Sequence, residues 1–161
     1  RCAAFGMQID IVTETCPPLF SFIDNVYYQD QLLEALPEAD VVFIAAPGTP
    51  ITYKMINDEA LAAMKDTAYL INVSRGTIVD LDALVRTLNE GRLEAVGLDV
   101  TDPEPLPEDH PVRDFERVLI TPHAAGMTTT LSRRLELVDT NIHRFVNQLP
   151  LINVVDKSLG F

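Results

Sequence analysis

Val41-Val42-Phe43-Ile44-Ala45-Ala46-Pro47-Gly48 is an unbroken apolar run stopped by a proline and a glycine. A short run of this kind is the pattern of a strand buried on both faces of a parallel sheet. The same pattern returns at Ala68 to Val73, Ala95 to Val100 and Val118 to Thr121. Gln8 to Val12 reads as a further strand, although Asp10 inside it predicts an edge or a solvent-facing position. Segments of helical period separate these runs, and that alternation is the signature of βα units around a parallel sheet.

The helices are marked by their caps and their apolar spacing. Leu32, Leu33 and Leu36 are predicted to share one helical face. Asn57 can cap a helix carrying Leu61 and Met64, with Asp58 and Glu59 well placed in its first turn. Asp80 can cap the next, whose Leu84, Val85 and Leu88 would face the sheet before Gly91 ends it. A last long helix is expected from about Thr128 to Gln148, with Leu131, Leu135, Val138, Ile142 and Phe145 at spacings of three and four. The acidic, proline-rich stretch Asp102 to Pro111 is the one obvious long loop.

Composition excludes several classes. The chain has 161 residues, 47% of them hydrophobic, so one domain with one core is the expectation. A net charge of −12 with scattered basic residues argues against binding to a nucleic-acid backbone. No apolar run approaches the roughly 18 to 20 residues of a membrane span, so no membrane partner is expected. Cys2 and Cys16 lack metal-ligand spacing and are too few for a disulfide framework, so no metal site is expected and a reducing, cytoplasmic setting is the default.

Three polar groups each follow an apolar run: Arg75 in Asn72-Val73-Ser74-Arg75-Gly76, Glu104 in Asp102-Pro103-Glu104-Pro105, and His123 in Thr121-Pro122-His123. In an α/β sheet these are the carboxyl ends of strands, where ligands bind. Arginine can grip a carboxylate bidentately, histidine can pass a proton near neutral pH, and glutamate can orient and charge an imidazole. His110 and His143 have no such context and receive no role.

These segments, in this order, resemble the D-isomer-specific 2-hydroxyacid dehydrogenases, which arrange an N-x-x-R-G, a D-V-x-x-x-E-P and a T-P-H segment. Here they are NVSRG at 72 to 76, DVTDPEP at 99 to 105 and TPH at 121 to 123. Ala4 to Met7, Ala46 to Pro50 and Gly97 to Val100 extend the likeness over nearly the whole chain. The resemblance implies a Rossmann-type, doubly wound parallel sheet and hydride transfer between NAD(P)H and a small 2-keto or D-2-hydroxy acid such as glyoxylate or hydroxypyruvate. It implies Arg75 as the grip on the substrate carboxylate, His123 as the proton donor and acceptor, and Glu104 as the partner of His123. Cofactor contacts are implied at Thr13, Pro47, Val73, Ser74, Arg75, Asp99, His123 and Gly126. A homodimer is the implied assembly of the intact parent.

A Gly-x-Gly-x-x-Gly turn, which would cradle a pyrophosphate at a helix N-terminus, is not found in the sequence. Arg1 to Phe5 look like the end of the helix that follows such a turn. The expectation is therefore a Rossmann sheet lacking its first strand and glycine-rich turn, with residues 1–149 as an incomplete NAD(P)-binding domain and 150–161 returning toward an absent substrate domain. Counting from Phe5-Gly6-Met7, the family's ribose-binding aspartate falls on Thr13, beside Glu14. Between Arg1 and Lys54 no lysine or arginine is available for a 2′-phosphate, which favours NAD over NADP. Two other readings remain: a dehydrogenase-like, cofactor-sensing corepressor, and an inactive product of a truncated gene.

Overall fold

The structure is a computed structural model that describes residues 1–14, 20–127 and 131–157; Cys16 and the expected helix start at Thr128 lie outside the described residues. The chain divides into two compact units, Arg1–Pro122 and His123–Phe161.

Among the described residues the first unit holds six parallel strands in two sheets. β1 (Asp10–Thr13) pairs with β2 (Asn25–Tyr28), and β3 (Val41–Ile44), β4 (Tyr69–Asn72), β5 (Ala95–Leu98) and β6 (Val118–Ile120) pair in sequence order. The four apolar runs after residue 40 are thus strands, each one or two residues shorter than its apolar stretch. β1 starts at Asp10 instead of Gln8, and its partner β2 is a strand that the apolar pattern did not reveal. Asp10 is exposed and accepts a hydrogen bond from Asn25 Nδ2 at 2.9 Å, as an edge position allows. β1 and β3 belong to separate sheets.

Local chemistry explains the helices. Arg1 to Phe5 ends as a helix terminus should: Cys2–Phe5 is a 3₁₀ turn closed by Gly6 at φ 70°, whose amide donates back to Ala3. α1 (Leu32–Ala35) is a single turn flanked by 3₁₀ turns, because Pro37 cannot continue it. Leu36 is buried there but Leu33 points to solvent, so the expected shared face is corrected. α2 (Asp58–Ala63) is capped by Asn57, whose Oδ1 accepts from the Ala60 amide at 3.1 Å. At its other end Arg92 donates to the carbonyls of Leu61, Ala62 and Met64, satisfying the acceptors that a helix C-terminus leaves open. α3 (Leu81–Asn89) is capped by Asp80 and followed by Gly91 at φ 79°.

α2 and α3 cover one face of the four-stranded sheet. Leu61, Leu70, Leu84, Val96, Leu98 and Val112 are fully or almost fully buried there, each contributing about 1.5–3 kcal/mol of transfer free energy. The opposite face differs from expectation. Val41 and Phe43 were expected to be buried, yet they are 40% and 59% exposed. The register sets Phe43, Ile71, Gly97 and Leu119 in one cross-strand row on that open face.

The second unit contains α4 (Leu131–Val146), within the span predicted for the last helix. Its end is tied to the following segment by paired hydrogen bonds between the Asn141 side chain and the Ile152 backbone, both 3.0 Å. The stripe Leu131, Leu135, Val138, Ile142 and Phe145 is exposed along its length.

Asp80 carries a test of the α3 cap. Burial opposes its ionisation, but the Lys54 ammonium at 3.1 Å and the amides of Asp82 and Ala83 outweigh it, so its carboxyl sits below the ordinary carboxylate value. A depressed folded-state pKa contributes stability above the unfolded value of 3.8 that is lost as pH falls through the lower folded value. Asp80→Ala is expected to cost about 1 kcal/mol near neutral pH, and the gap from wild type should close in strong acid. Urea unfolding at several pH values checks this; a gap independent of pH would contradict it.

Candidate active site

The carboxyl ends of β1, β3, β4 and β5 carry six of the nine candidate residues of the sequence. Thr13 ends β1, Pro47 follows β3, Val73 to Arg75 follow β4, and Asp99 follows β5.

The turn after β4 is built on Asn72, which has no solvent exposure. Its Nδ2 donates to the Arg75 carbonyl at 2.9 Å, and its Oδ1 accepts from the Ser74 amide at 3.0 Å. Ser74 Oγ donates to the Ala46 carbonyl, and the Val73 amide donates to that of Ile44 at 3.4 Å, tying the turn to the end of β3. The turn after β3 is held by Thr52, whose hydroxyl donates to the Pro47 carbonyl at 2.7 Å and accepts from the Thr49 amide at 2.9 Å.

Two glycines set the spacing. The stem of Arg75 lies against Gly48, where an added Cβ would come within 2.9 Å of the arginine Cγ. At Gly76 a Cβ would stand 2.0 Å from the carbonyl of Thr101 and 2.6 Å from the amide nitrogen of Asp102. The glycine thus lets the Arg75 turn touch the backbone that leads to Glu104. The requirement is space, since Gly76 does not have a left-handed backbone. Arg75 is exposed, and its Nη1 donates to the Ser74 carbonyl at 2.7 Å.

The acidic loop is pinned at several points. Thr101 Oγ1 donates to the Pro103 carbonyl at 2.9 Å, and Arg113 donates to the carbonyls of Leu106 and Pro107. Leu106 and Val112 anchor it in the core, while Glu104 is exposed. His110, given no role from the sequence, accepts from the Val112 amide through Nδ1 at 3.2 Å and caps the 3₁₀ turn Pro111–Asp114. That is a structural use.

Asp99 is 6% exposed, and Thr121 Oγ1 donates to its Oδ1. Sequence reasoning took Thr121 only as part of a motif; its place beside Asp99 on the neighbouring strand shows only in the register of the sheet. His123 begins the second unit, exposed and at φ 52°, a left-handed conformation that histidine visits more readily than most residues. Gly126 is exposed, and its carbonyl accepts from Arg134 at 2.9 Å within that unit. Among the described residues no group of His, Cys, Asp and Glu is arranged to hold a metal ion.

Residues 1–125, which hold the parallel strands and the arginine turn, match the family model of the D-isomer specific 2-hydroxyacid dehydrogenase, NAD binding domain. The chain belongs to the D-isomer specific 2-hydroxyacid dehydrogenase family. It is 44% identical over 146 residues to a glyoxylate reductase of Korarchaeum cryptofilum, a match that covers 90% of this chain and 44% of that protein. A glyoxylate reductase of Thermofilum pendens is also 44% identical, over 130 residues that make up 80% of this chain and 36% of the relative. The chain spans less than half the length of these relatives. Among solved structures, a D-isomer specific 2-hydroxyacid dehydrogenase from Xanthobacter autotrophicus in complex with NADPH superposes with a TM-score of 0.91 at 31% identity, covering 99% of this chain and 65% of that one. The Rossmann-type reading of the sequence is therefore correct.

Gly76→Ala tests the packing of the two turns. Overlap with backbone atoms cannot be relieved by a side-chain rotation, so a loss of about 1–3 kcal/mol is expected. An unchanged midpoint in chemical unfolding would show that the Thr101–Asp102 backbone moves away at no cost.

Proposed function

We propose that the protein carrying this chain reduces a 2-keto acid, or oxidises the matching D-2-hydroxy acid, using NAD(H), with glyoxylate and hydroxypyruvate as the first substrates to test. The observation that carries the reading is the Asn72-anchored turn, which presents Arg75 at the carboxyl end of β4 with the Glu104 loop packed against Gly76. The names of the relatives support the choice of substrates.

The chemistry of the donor set fits a nicotinamide dinucleotide. A nearly buried carboxylate, Asp99, stands at a strand's carboxyl end and can accept from a carboxamide; Thr13 ends β1, where a ribose would be held. Pro47, Val73, Ser74 and Gly126 would contribute contacts, largely through the backbone. When bound, the dinucleotide supplies or takes up the hydride. Arg75 holds the substrate carboxylate in a bidentate grip and polarises the adjacent carbonyl. His123 gives a proton to the carbonyl oxygen in reduction and takes it back from the hydroxyl in oxidation. Glu104 orients His123. Residues 1–149 would form the dinucleotide-binding domain and 150–161 the return toward a substrate domain, in a cytoplasmic homodimer; the small-molecule acid is the expected partner, and no helix among the described residues is long and apolar enough to cross a membrane.

In the full-length protein, Arg75→Ala is expected to lower kcat/KM for glyoxylate by about 2–3 kcal/mol, the loss of a charged contact to a desolvated carboxylate. Arg75→Lys should recover only part, because a point charge does not reproduce the planar fork. His123→Asn should remove most turnover while sparing NADH binding. Steady-state kinetics check all three, and wild-type rates in Arg75→Ala would remove the assignment.

The cofactor choice rests on Thr13 and Glu14 and on the absence of Lys or Arg between Arg1 and Lys54. NADH is expected to bind more tightly than NADPH, whose extra phosphate would meet Glu14 and no nearby cation. Titration calorimetry with both dinucleotides decides it; tighter binding of NADPH would overturn the ribose site at Thr13.

A further inference from the structure

Asp99 and Thr121 continue the parallel ladder one residue past β5 and β6. The Asp99 amide donates to the Asn72 carbonyl and the Thr121 amide to the Leu98 carbonyl, both at 2.9 Å. The register that pairs Leu98 with Ile120 sets the next residues, Asp99 and Thr121, side by side. Strand alternation turns both side chains away from the buried face occupied by Leu98. There the threonine hydroxyl donates to Asp99 Oδ1. Asp99 is 6% exposed, whereas Thr121 is exposed. A hydroxyl bonded to a nearly buried carboxylate selects one carboxylate rotamer and restrains the plane of the group.

We propose that Thr121 is a positioning residue for the cofactor: its hydroxyl fixes Asp99 in the orientation in which the carboxylate accepts a hydrogen bond from the nicotinamide carboxamide. The inference rests on the oxidoreductase reading and deepens it, since it assigns to Thr121 a task at the nicotinamide end alone. Valine keeps the shape of threonine and removes the donor. Serine keeps the donor and removes only a methyl group.

The test uses the full-length protein and two probes, NADH and ADP-ribose, which lacks the nicotinamide. Thr121→Val should weaken NADH about tenfold, the range of a hydrogen bond to a charged group, and leave ADP-ribose within about twofold of wild type. Thr121→Ser should restore NADH affinity. Equal weakening of both probes would mean that Thr121 only supports the fold, and it overturns the proposal. So would unchanged NADH binding in Thr121→Val, or a serine variant as weak as the valine one, with the oxidoreductase reading left intact in each case. A wild-type protein that binds neither probe would overturn the oxidoreductase reading and this proposal together.

Discussion

Asn72 holds the arginine turn together with its side chain and ties it to the end of β5 with its backbone. Within the turn it donates to the Arg75 carbonyl and accepts from the Ser74 amide, while its own backbone carbonyl accepts from Asp99. Because the residue is wholly buried, water cannot replace any of these partners. An amide is the group that can donate and accept at once in that space; aspartate would set a carboxylate oxygen against the Arg75 carbonyl, and leucine would leave two backbone groups without partners. The direction in which the arginine turn leaves the sheet is thus decided below it, in the core.

The surroundings of that turn are fixed by close backbone approach as much as by hydrogen bonds. Gly48 makes room for the arginine stem and Gly76 admits the backbone of Thr101 and Asp102. Farther out, the Lys54 amide donates to the Thr77 carbonyl, the Ile56 amide to that of Ile78, and the Asp80 amide to that of Ile56. These bonds lace the segment after β3 to the segment after β4 below the candidate site. A guanidinium on a turn held this way can stay exposed while its backbone has little freedom, which suits a group that must meet a small anion at a set position.

Much of this was legible in the sequence, for identifiable reasons. β3 to β6 announced themselves because each is a short apolar run ended by turn residues, and the caps Asn57 and Asp80 because a helix N-terminus needs a side-chain acceptor. The order of Arg75, Glu104 and His123 marked the candidate site through motifs at strand ends. β2 escaped because Asn25-Val26-Tyr27-Tyr28 is short and mixes polar with aromatic residues, so its period is indistinct. The exposure of Phe43 escaped because an apolar run tells that a strand is apolar on both sides and not whether anything lies over each side. The Thr121–Asp99 bond and the backbone contact at Gly76 are relations between distant positions, and periodicity carries no trace of them.

The open row of Phe43, Ile71 and Leu119 has a consequence for how the molecule behaves in solution. Apolar surface of this kind attracts its like without regard to orientation. The net charge of −12 supplies a long-range repulsion that keeps copies apart. Added salt shortens the reach of that repulsion to about 10 Å at 0.1 M and leaves the short-range attraction in place. Colloidal stability thus depends on ionic strength: dilute buffer keeps the surface dispersed, and brine brings the bare faces within each other's range.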